Sequence, residues 1–292
     1  MPEFPEVQTI VNDLNRKIIG RRITGVWFDW PKIIKKPKPK ELEKRIKELK
    51  ITKIKRRGKN ILIYLTENYL LLIHQKMTGH LLYGKWKVEK GKVKSLLKGP
   101  FQEKVNDYIR LIFYLDNSFQ LALSDLRKFA KVLFGPKEKI ENLPELKNLG
   151  PEPLERNFTV KKFMSLISPE KRKIKQVLMD QEVIAGIGNI YSDEILWRAK
   201  IYPFRRADSL AVNELKSLYR AMRQILRKAL KLRGTSISDF RDTGGRSGGY
   251  SDVRKVYRRE GEPCPRCGSV IKRIKIGGRS AHYCPACQRL NP

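Results

Sequence analysis

The chain opens with Met1-Pro2-Glu3-Phe4-Pro5-Glu6, and the rest of the first domain is arranged around this stretch. Removal of the initiator methionine, which is usual before a small residue, leaves the secondary amine of Pro2 at the start of the chain. An α-amino group titrates at about 7.7 to 8, so part of it is an uncharged nucleophile near neutral pH. Attack on a carbonyl-level carbon gives an iminium, and Glu3 is placed to donate a proton beside it. The stretch therefore predicts a reactive amine.

A plainer interpretation of the same stretch is a helix start. Apolar residues recur every three or four positions from Glu6 to Ile19, which predicts an amphipathic helix that ends at Gly20. Pro5 and Glu6 suit its first turn, because proline and acidic residues favour that end of a helix. The sequence leaves both interpretations open.

The charge balance indicates a polyanionic partner. Lys and Arg total 63 against 30 Asp and Glu in 292 residues, a net charge of +33. Counterion release gives such a chain affinity for nucleic acid; an anionic membrane surface is the competing interpretation, and a high growth temperature would also add lysine. No apolar run approaches the ~20 residues that span a bilayer, and the acidic start is unlike a signal peptide. We expect a cytoplasmic protein.

The spacing of hydrophobic residues changes along the chain and predicts an α+β, multidomain protein. Residues 1–135 are rich in β-branched and aromatic residues and predict a sandwich or flattened barrel, with a helix at 41–49. Residues 136–157 predict a linker, and 158–252 predict a helical domain that ends in a Gly-rich segment, 234–252, suited to a functional loop or a plain connection. The predicted strands are 22–30, 51–55, 60–65, 69–74, 108–115, 119–124 and 131–134, and the predicted helices are 160–167, 173–179, 189–199 and 212–232.

Three further segments carry weaker signals. The lysine-rich segments 32–40 and 90–99 read as solvated insertions. The turn Ala185-Gly186-Ile187-Gly188 precedes Asn189, which we interpret as the N-cap of a helix whose free N–H groups can hold a phosphate. Without a preceding strand this turn is not a dinucleotide-binding fingerprint.

The strongest local signal is two Cys-x-x-Cys pairs in the last segment, 253–292. Sixteen residues separate Cys264 and Cys267 from Cys284 and Cys287, a spacing typical of a structural zinc finger. Two disulfides are the alternative, but no export signal points to an oxidising compartment. Four thiolates leave no open position for catalysis. Between the pairs the sequence predicts a hairpin that places Arg279 near its tip.

In this order the motifs resemble the formamidopyrimidine-DNA glycosylase family of bifunctional base-excision repair enzymes. The resemblance covers nearly the whole chain and implies an N-terminal β-sandwich, a helix-two-turns-helix domain and a zinc finger, with duplex DNA crossing the cleft between the halves. The matching motifs are Pro2–Val7, Arg57–Lys59, Gly150–Leu154, Gly186–Tyr191 and the zinc finger.

The resemblance also implies catalytic roles. Pro2 would be the Schiff-base nucleophile at C1′ of the damaged nucleotide, and Glu3 its proton donor. Lys59 matches the lysine that acts in β-elimination. Arg279 matches the finger arginine of δ-elimination and phosphate binding.

DNA contacts follow from the same resemblance. Met77, Arg127 and Phe129 match the wedge that fills the gap left by an everted base, as the lost stacking requires. The remaining implied DNA contacts are His74, Tyr108, Lys171, Asn189 and Tyr257. The expected partner is damaged double-stranded DNA, bound by a nucleoid-associated monomer with one structural Zn²⁺ and no other cofactor.

Some positions depart from the family's pattern and bear on substrate preference. Phe4 replaces the usual leucine, Lys76 a usual glycine, Tyr108 the histidine of many relatives, and Ser238 a frequent basic residue. We expect excision of oxidised purines such as 8-oxoguanine and formamidopyrimidines. The alternatives are the sister endonuclease VIII branch, which prefers oxidised pyrimidines, and a noncatalytic zinc-ribbon nucleic-acid binder.

Overall fold

The computed structural model describes residues 1–237 and 239–290, so Ser238 lies outside the described residues. The chain folds into two compact units. The first comprises Met1–Lys147 with Leu232–Ser251, and the second comprises Asn148–Lys231 with the chain from Asp252 onward. The segment predicted as a linker, 136–157, contains two short helices and the boundary between the units. No helix in the described ranges is both long and apolar enough to cross a bilayer.

The first unit is a β-sandwich, which confirms the predicted β-rich N-terminal domain. Its helices are α1 (Phe4–Lys17), α2 (Pro39–Ile46), α3 (Lys137–Glu141) and α4 (Pro144–Lys147). Its strands are β1 (Ile23–Phe28), β2 (Ile34–Lys36), β3 (Ile51–Arg57), β4 (Asn60–Leu65), β5 (Tyr69–His74), β6 (His80–Gly84), β7 (Trp86–Glu89), β8 (Lys92–Ser95), β9 (Ile109–Leu115), β10 (Gln120–Ser124) and β11 (Lys131–Pro136).

Two sheets enclose the core of this unit. One has the strand order β1-β9-β10-β6 and the other β2-β11-β5-β4-β3. The apolar face of α1 packs into the same core, where Val7, Ile10 and Leu14 are fully buried. Burial of each such side chain stabilises the fold by about 1.5–3 kcal/mol. The helix that carries the N-terminus is therefore fixed to the sandwich.

The second unit is helical and ends in a hairpin. Its elements are α5 (Val160–Ile167), α6 (Ile174–Met179), α7 (Asn189–Ala199), α8 (Val212–Lys231), β12 (Lys272–Ile276) and β13 (Arg279–Tyr283). These bounds confirm the helical period and the hairpin turn at Gly277-Gly278. One detail of the prediction is wrong: Gly188 is the N-cap of α7 and Asn189 its first helical residue, because Gly188 holds the extended backbone that a cap needs.

The Gly-rich segment forms a hydrogen-bonded loop attached to the sandwich unit. Its ends meet at a bridge between Thr235 and Gly249, and the N–H of Tyr250 donates to the carbonyl of Gly234 at 3.0 Å. A Cβ at Gly248 would lie 2.4 Å from that carbonyl oxygen, so only glycine fits. We call the described residues 232–237 and 239–251 the closing loop.

Candidate active site

The first turn of α1 orders the N-terminus through a reciprocal hydrogen-bond pair. The Glu3 side chain accepts from the N–H of Glu6, and Glu6 Oε2 accepts from the N–H of Glu3 at 2.8 Å. Pro2 and Glu3 are buried, whereas Met1 is 40% exposed. The stretch is thus a helix start, as the plainer interpretation held, and it also buries Pro2 among carboxylates.

Glu6 joins this N-terminus to the closing loop. Its Oε1 accepts from the N–H of Thr235 at 2.7 Å, while its other oxygen holds Glu3. Gly234 has φ +84°, and a Cβ there would lie 2.7 Å from Glu6 Oε1. Only glycine therefore fits between the loop and the carboxylate. The two segments are more than 200 residues apart, and local sequence patterns gave no sign of their contact.

Lys59 belongs to the same buried neighbourhood. It is 7% exposed and follows Gly58 in the turn between β3 and β4. Burial lowers the pKa of the amino terminus, carried here by Met1, below its ordinary 8.0; the carboxylates of Glu3 and Glu6 oppose this shift, and the charge of Lys59 adds to it. The unit thus brings together the three catalytic residues predicted in it, in surroundings that lower the pKa of the terminal amine.

His74 ends β5 opposite Asn60, the residue after Lys59. Burial, followed by the charges of Lys76, Lys59 and Lys131, lowers the pKa of His74 to about 3. The N–H of Lys76 donates to His74 Nδ1 at 3.0 Å. The ring is therefore neutral with its proton on Nε2, a donor suited to a phosphate oxygen.

The predicted wedge residues lie on two loops that are bonded to each other. Thr78 Oγ1 donates to Asp125 Oδ1, and the N–H of Arg127 donates to Thr78 Oγ1 at 3.1 Å. The Arg127 guanidinium lies over the Phe129 ring at 4.6 Å, and Phe129 is 51% exposed. An exposed aromatic side chain stacked by arginine is not core packing, so the arrangement favours the wedge role.

Met77 and Tyr108 complete this edge of the sandwich. Met77 is half-buried, directly before Thr78. Tyr108 is also half-buried, and its carbonyl accepts from the N–H of Asp125 at 2.8 Å. Both predicted residues are therefore attached to the loops of Arg127 and Phe129.

In the second unit, three predicted residues line one cavity of about 720 Å³: Asn189, Tyr257 and Arg279. Arg258 and Arg273 line it as well. The start of α7 has no side-chain cap, and Asn189 Oδ1 is buried without a hydrogen-bond partner in the described part of the chain. A helix N-terminus beside three guanidinium groups suits a phosphate.

Sequence reasoning missed Arg258 and Arg273. The basic run before the first cysteine pair was a usable signal for Arg258, and the alternating basic residues of the hairpin strand were one for Arg273. Predicted Lys171 is exposed and is not among the residues that line the cavity.

A buried carboxylate positions Tyr257. Glu194 on α7 is fully buried and accepts from the N–H groups of Lys255, Val256 and Tyr257 at 2.9–3.0 Å. Burial raises the pKa of Glu194, and these backbone bonds oppose the shift. No sequence motif marked this residue.

The four cysteines form one structural zinc site. Their Sγ atoms all lie within 4.8 Å of one another, and a tetrahedral Zn²⁺ with ~2.3 Å bonds needs sulfurs ~3.8 Å apart. Trp197 Nε1–H donates to Cys264 Sγ at 3.4 Å. Hydrogen bonds from Ser269 lower the pKa of Cys267 to about 6, which favours the thiolate that the metal requires. The donor set fits zinc, as the spacing predicted.

Comparison with known proteins agrees with this chemistry. The family model described as formamidopyrimidine-DNA glycosylase N-terminal domain matches residues 1–132, the corresponding H2TH domain model matches 149–241, and the zinc finger found in FPG and IleRS matches 261–290. The chain is a base-excision repair DNA glycosylase acting on oxidised purines, with the lyase activity of a bifunctional enzyme. It belongs to the formamidopyrimidine-DNA glycosylase family, as the motifs suggested.

Individual relatives match over their whole length. The formamidopyrimidine-DNA glycosylase of Pelotomaculum thermopropionicum is 42% identical over 99% of this chain and 100% of its own. The Lactococcus lactis Fpg in complex with abasic-site DNA superposes with a TM-score of 0.85 at 31% identity, covering 98% of this chain and 99% of its own. The Thermus thermophilus Fpg gives 0.82 at 33% identity, with both chains fully covered.

Proposed function

We propose that this chain, once Met1 is removed, excises oxidised purines through the amine of Pro2 and then cleaves the strand. The observation that carries the proposal is the burial of Pro2 and Glu3 beside Lys59, in surroundings that lower the pKa of the terminal amine. A desolvated secondary amine of this kind is nucleophilic near neutral pH.

The chemistry is one substitution followed by two eliminations. The Pro2 nitrogen attacks C1′, the bond to the damaged base breaks, and the base leaves with the electron pair. Glu3 protonates the sugar oxygen as the ring opens to the iminium. The iminium acidifies the C2′ proton, whose loss expels the 3′ phosphate. Loss of the C4′ proton from the resulting conjugated iminium then expels the 5′ phosphate, and water releases the remaining sugar fragment from Pro2. Lys59 moves protons in the first elimination, and Arg279 contacts phosphate in the second.

DNA engagement uses the loops of Met77, Arg127 and Phe129 on the sandwich and the cavity at the start of α7. Met77, Arg127 and Phe129 fill the space of the everted nucleotide, because an unfilled gap loses stacking on both sides. The backbone contacts we assign are His74, Tyr108, Lys171, Asn189 and Tyr257. The enzyme acts as a monomer on the chromosome, in the nucleoid.

The lesion range extends beyond one base. Complexes of the Lactococcus lactis Fpg contain Fapy-dG DNA and, in another case, DNA with an oxidised pyrimidine. We infer that 8-oxoguanine and formamidopyrimidines are the main substrates of this chain and that oxidised pyrimidines are secondary ones.

The test is borohydride trapping. The purified protein is incubated with duplexes that carry 8-oxoguanine opposite cytosine, an oxidised pyrimidine or an abasic site, and the adduct is mapped by peptide mass. We expect an adduct on Pro2, faster with the oxidised purine than with the pyrimidine.

Two variants and one control sharpen the result. Protein that retains Met1 should give no adduct on Pro2, and Pro2→Gly should trap far less. Pro5→Gly makes the same change three residues along and leaves the amine in place, so it should still trap. Binding without any adduct, even on the abasic duplex, would support the noncatalytic zinc-ribbon binder instead.

A further inference from the structure

The hairpin of β7 and β8 presents a lysine face that the active site does not use. Lys87 pairs with Lys94 across the two strands, and both are exposed, as are Lys90 and Lys92. Like charges directly opposite each other destabilise a strand pair. Glu89 neutralises Lys87 at 2.7 Å. No carboxylate of the described residues forms an ion pair with Lys90, Lys92 or Lys94, although Glu89 stands opposite Lys92 in the strand register. The outer face of the hairpin therefore carries an excess of positive charge.

The opposite face of this hairpin packs on the outside of the β1-β9-β10-β6 sheet. Trp86 is 4% exposed in a cluster with Leu82, Ile109, Ile112 and Ala122, and Val88 and Val93 pack against it. The Gln120 side chain accepts from the N–H of Trp86 at 2.8 Å and donates to its carbonyl at 3.0 Å. The segment predicted as a solvated insertion at 90–99 is therefore partly an anchored strand. The backbone that carries its lysines is ordered before any ligand binds, which lowers the entropic cost of binding.

The register of the sheet shows where the lysines lie. Ser124 pairs with His80 on one side and with Ile109 on the other, so these residues share one end of the sheet. That end continues into the loops of Met77 and Phe129.

The hairpin starts at the opposite end, after Gly84, and folds back over the sheet. Lys92 and Lys94 share a cavity of about 540 Å³ with Ile109, Asp107 and the Asp29–Arg110 ion pair, which stand at the first end. The lysine face therefore extends the edge that carries the wedge loops.

We propose that the hairpin Trp86–Ser95 is a second DNA-binding surface, which contacts the phosphate backbone of duplex flanking the lesion. The proposal rests on the proposed function, because it takes the wedge loops as the place where the lesion enters. Duplex DNA fits better than an anionic membrane, since Trp86, Val88 and Val93 face the sheet and Leu96 is the one strongly exposed apolar side chain in the described segment 85–98.

The test measures how affinity depends on salt. The triple variant Lys90→Ser, Lys92→Ser, Lys94→Ser and the wild type are titrated with a non-cleavable abasic-analogue duplex, in a long form and in a short form limited to the lesion and its neighbours. Each lost phosphate contact removes about 0.9 from the slope of log K against log salt. We expect the slope for the long duplex to fall by about 2 to 3, and the slope for the short duplex to be equal in both proteins.

The matched control removes three lysines elsewhere on the same unit. Lys40, Lys44 and Lys47 are exposed on or just after α2, which meets β1 at Ile23, the end opposite the wedge loops. Lys40→Ser, Lys44→Ser, Lys47→Ser should leave both slopes unchanged. An equal decrease of the slope in the two variants would mean that only the net charge of the protein matters, and it would overturn the proposal. An unchanged slope in the hairpin variant would also overturn it.

Two additional measurements separate this proposal from the chemistry. Thermal unfolding of each variant checks that the sandwich is intact. Borohydride trapping by the wild type on the short abasic duplex reports the amine mechanism alone. If trapping failed but the salt-dependence slopes of the wild type and the hairpin variant still differed as expected, the proposed chemistry would be refuted and the second DNA-binding surface would still be supported.

Discussion

At the scale of single residues, the site depends on contacts that tolerate no substituent or no change of charge. Gly234 combines a positive φ with direct contact to Glu6, and Glu6 in turn holds the backbone of Glu3. Burial lowers the pKa of the terminal amine, and the nearby charges of Glu3, Glu6 and Lys59 adjust it. We therefore expect contacts at the start of the chain to control the reactivity that we propose for Pro2.

Gly234→Ala should damage both stability and chemistry. The left-handed φ costs about 1–2 kcal/mol for any residue with a Cβ, and the collision with Glu6 adds about 1–3 kcal/mol. Gly261→Ala is a matched control, because Gly261 has the same φ of +84° with open space around it. Urea unfolding and abasic-site trapping should show a larger loss of stability and slow trapping only for Gly234→Ala. Equal effects of the two changes would contradict the role of the Glu6 contact.

The pH dependence of the trapping rate should follow the deprotonation of the terminal amine. Only the uncharged amine attacks, and its pKa is lowered, so the rate on an abasic duplex should level off below pH 8.0. Lys59→Gln removes a positive charge that lowers the pKa and should move the midpoint up. Glu3→Gln removes a negative charge that raises the pKa and should move it down. Single-turnover trapping between pH 5 and 9 measures all three, and midpoints that do not move would refute the assignment.

At the scale of elements, α1 and the closing loop are joined by a network around Asp13. Its Oδ2 accepts from Arg233 and, at 3.0 Å, from Thr243, while Arg233 also pairs with Asp242 at 2.7 Å. Asp13 is 2% exposed, so its carboxylate is sequestered from water. The network fixes the loop near the C-terminal end of α1, the helix that begins just after Pro2 and Glu3.

Asp13→Asn should destabilise the sandwich unit by about 2–3 kcal/mol at pH 7, less than a fully buried pair because Arg233 is partly exposed. Burial alone would raise the pKa of Asp13, but the bonds from Arg233 and Thr243 outweigh it and lower the pKa below 3.8. A carboxyl whose pKa is lowered by folding stabilises the folded state at pH values above its unfolded-state pKa, and this stabilisation is lost as the carboxyl is protonated. The difference in unfolding free energy between Asp13→Asn and the wild type should therefore shrink as the pH falls below 3.8.

Urea unfolding over this pH range measures the effect of Asp13→Asn. Asp116→Asn is the control, since Asp116 pairs with Arg21 at 3.9 Å on the surface and should cost under ~1 kcal/mol. Similar losses in the two variants would show that the network contributes little.

At the scale of the whole molecule, the residues to which we assign chemical roles lie in two separate units. The sandwich with its closing loop holds the amine, and the helical unit with the zinc finger holds a cluster of guanidinium groups at the start of α7. The zinc site sits in an apolar cluster with Trp197, Val256 and Ile271. Metal binding therefore supports the fold around this cluster of guanidinium groups.

Zinc removal should unfold the finger and spare the sandwich. Chelation removes the metal, and Cys264→Ser removes a ligand that also accepts from Trp197. In both cases the fluorescence of Trp197 should shift as the cluster opens. The shift is measured in a variant in which Trp27, Trp30 and Trp86 are replaced by Phe, so that Trp197 is its one tryptophan. The zinc content of the same samples is measured in parallel. The strand signal of the sandwich in circular dichroism should persist, and its loss in parallel would show that the finger is needed for the first unit.

The sequence by itself determined the elements and the zinc ligands. Period-2 and period-3.6 patterns located α1, α5, α7 and most strands, and the cysteine spacing identified the metal site, because each of these is written in neighbouring residues. Resemblance to the family supplied Pro2, Glu3 and Arg279 as functional residues. It did so because their motifs are short and continuous in the chain.

Only the tertiary structure decided which distant residues meet. Glu6 reaches Thr235, Asp13 reaches Arg233, and Glu194 fixes Tyr257 across separations that no local period encodes. The sequence of the β7–β8 hairpin predicts a solvated lysine loop, because lysines alternate with its few apolar residues. That it forms strands is shown only by the structure, in which Trp86 is buried on the outside of the sheet. Burial and charge pairing depend on what the rest of the fold brings near, and the sequence does not state that.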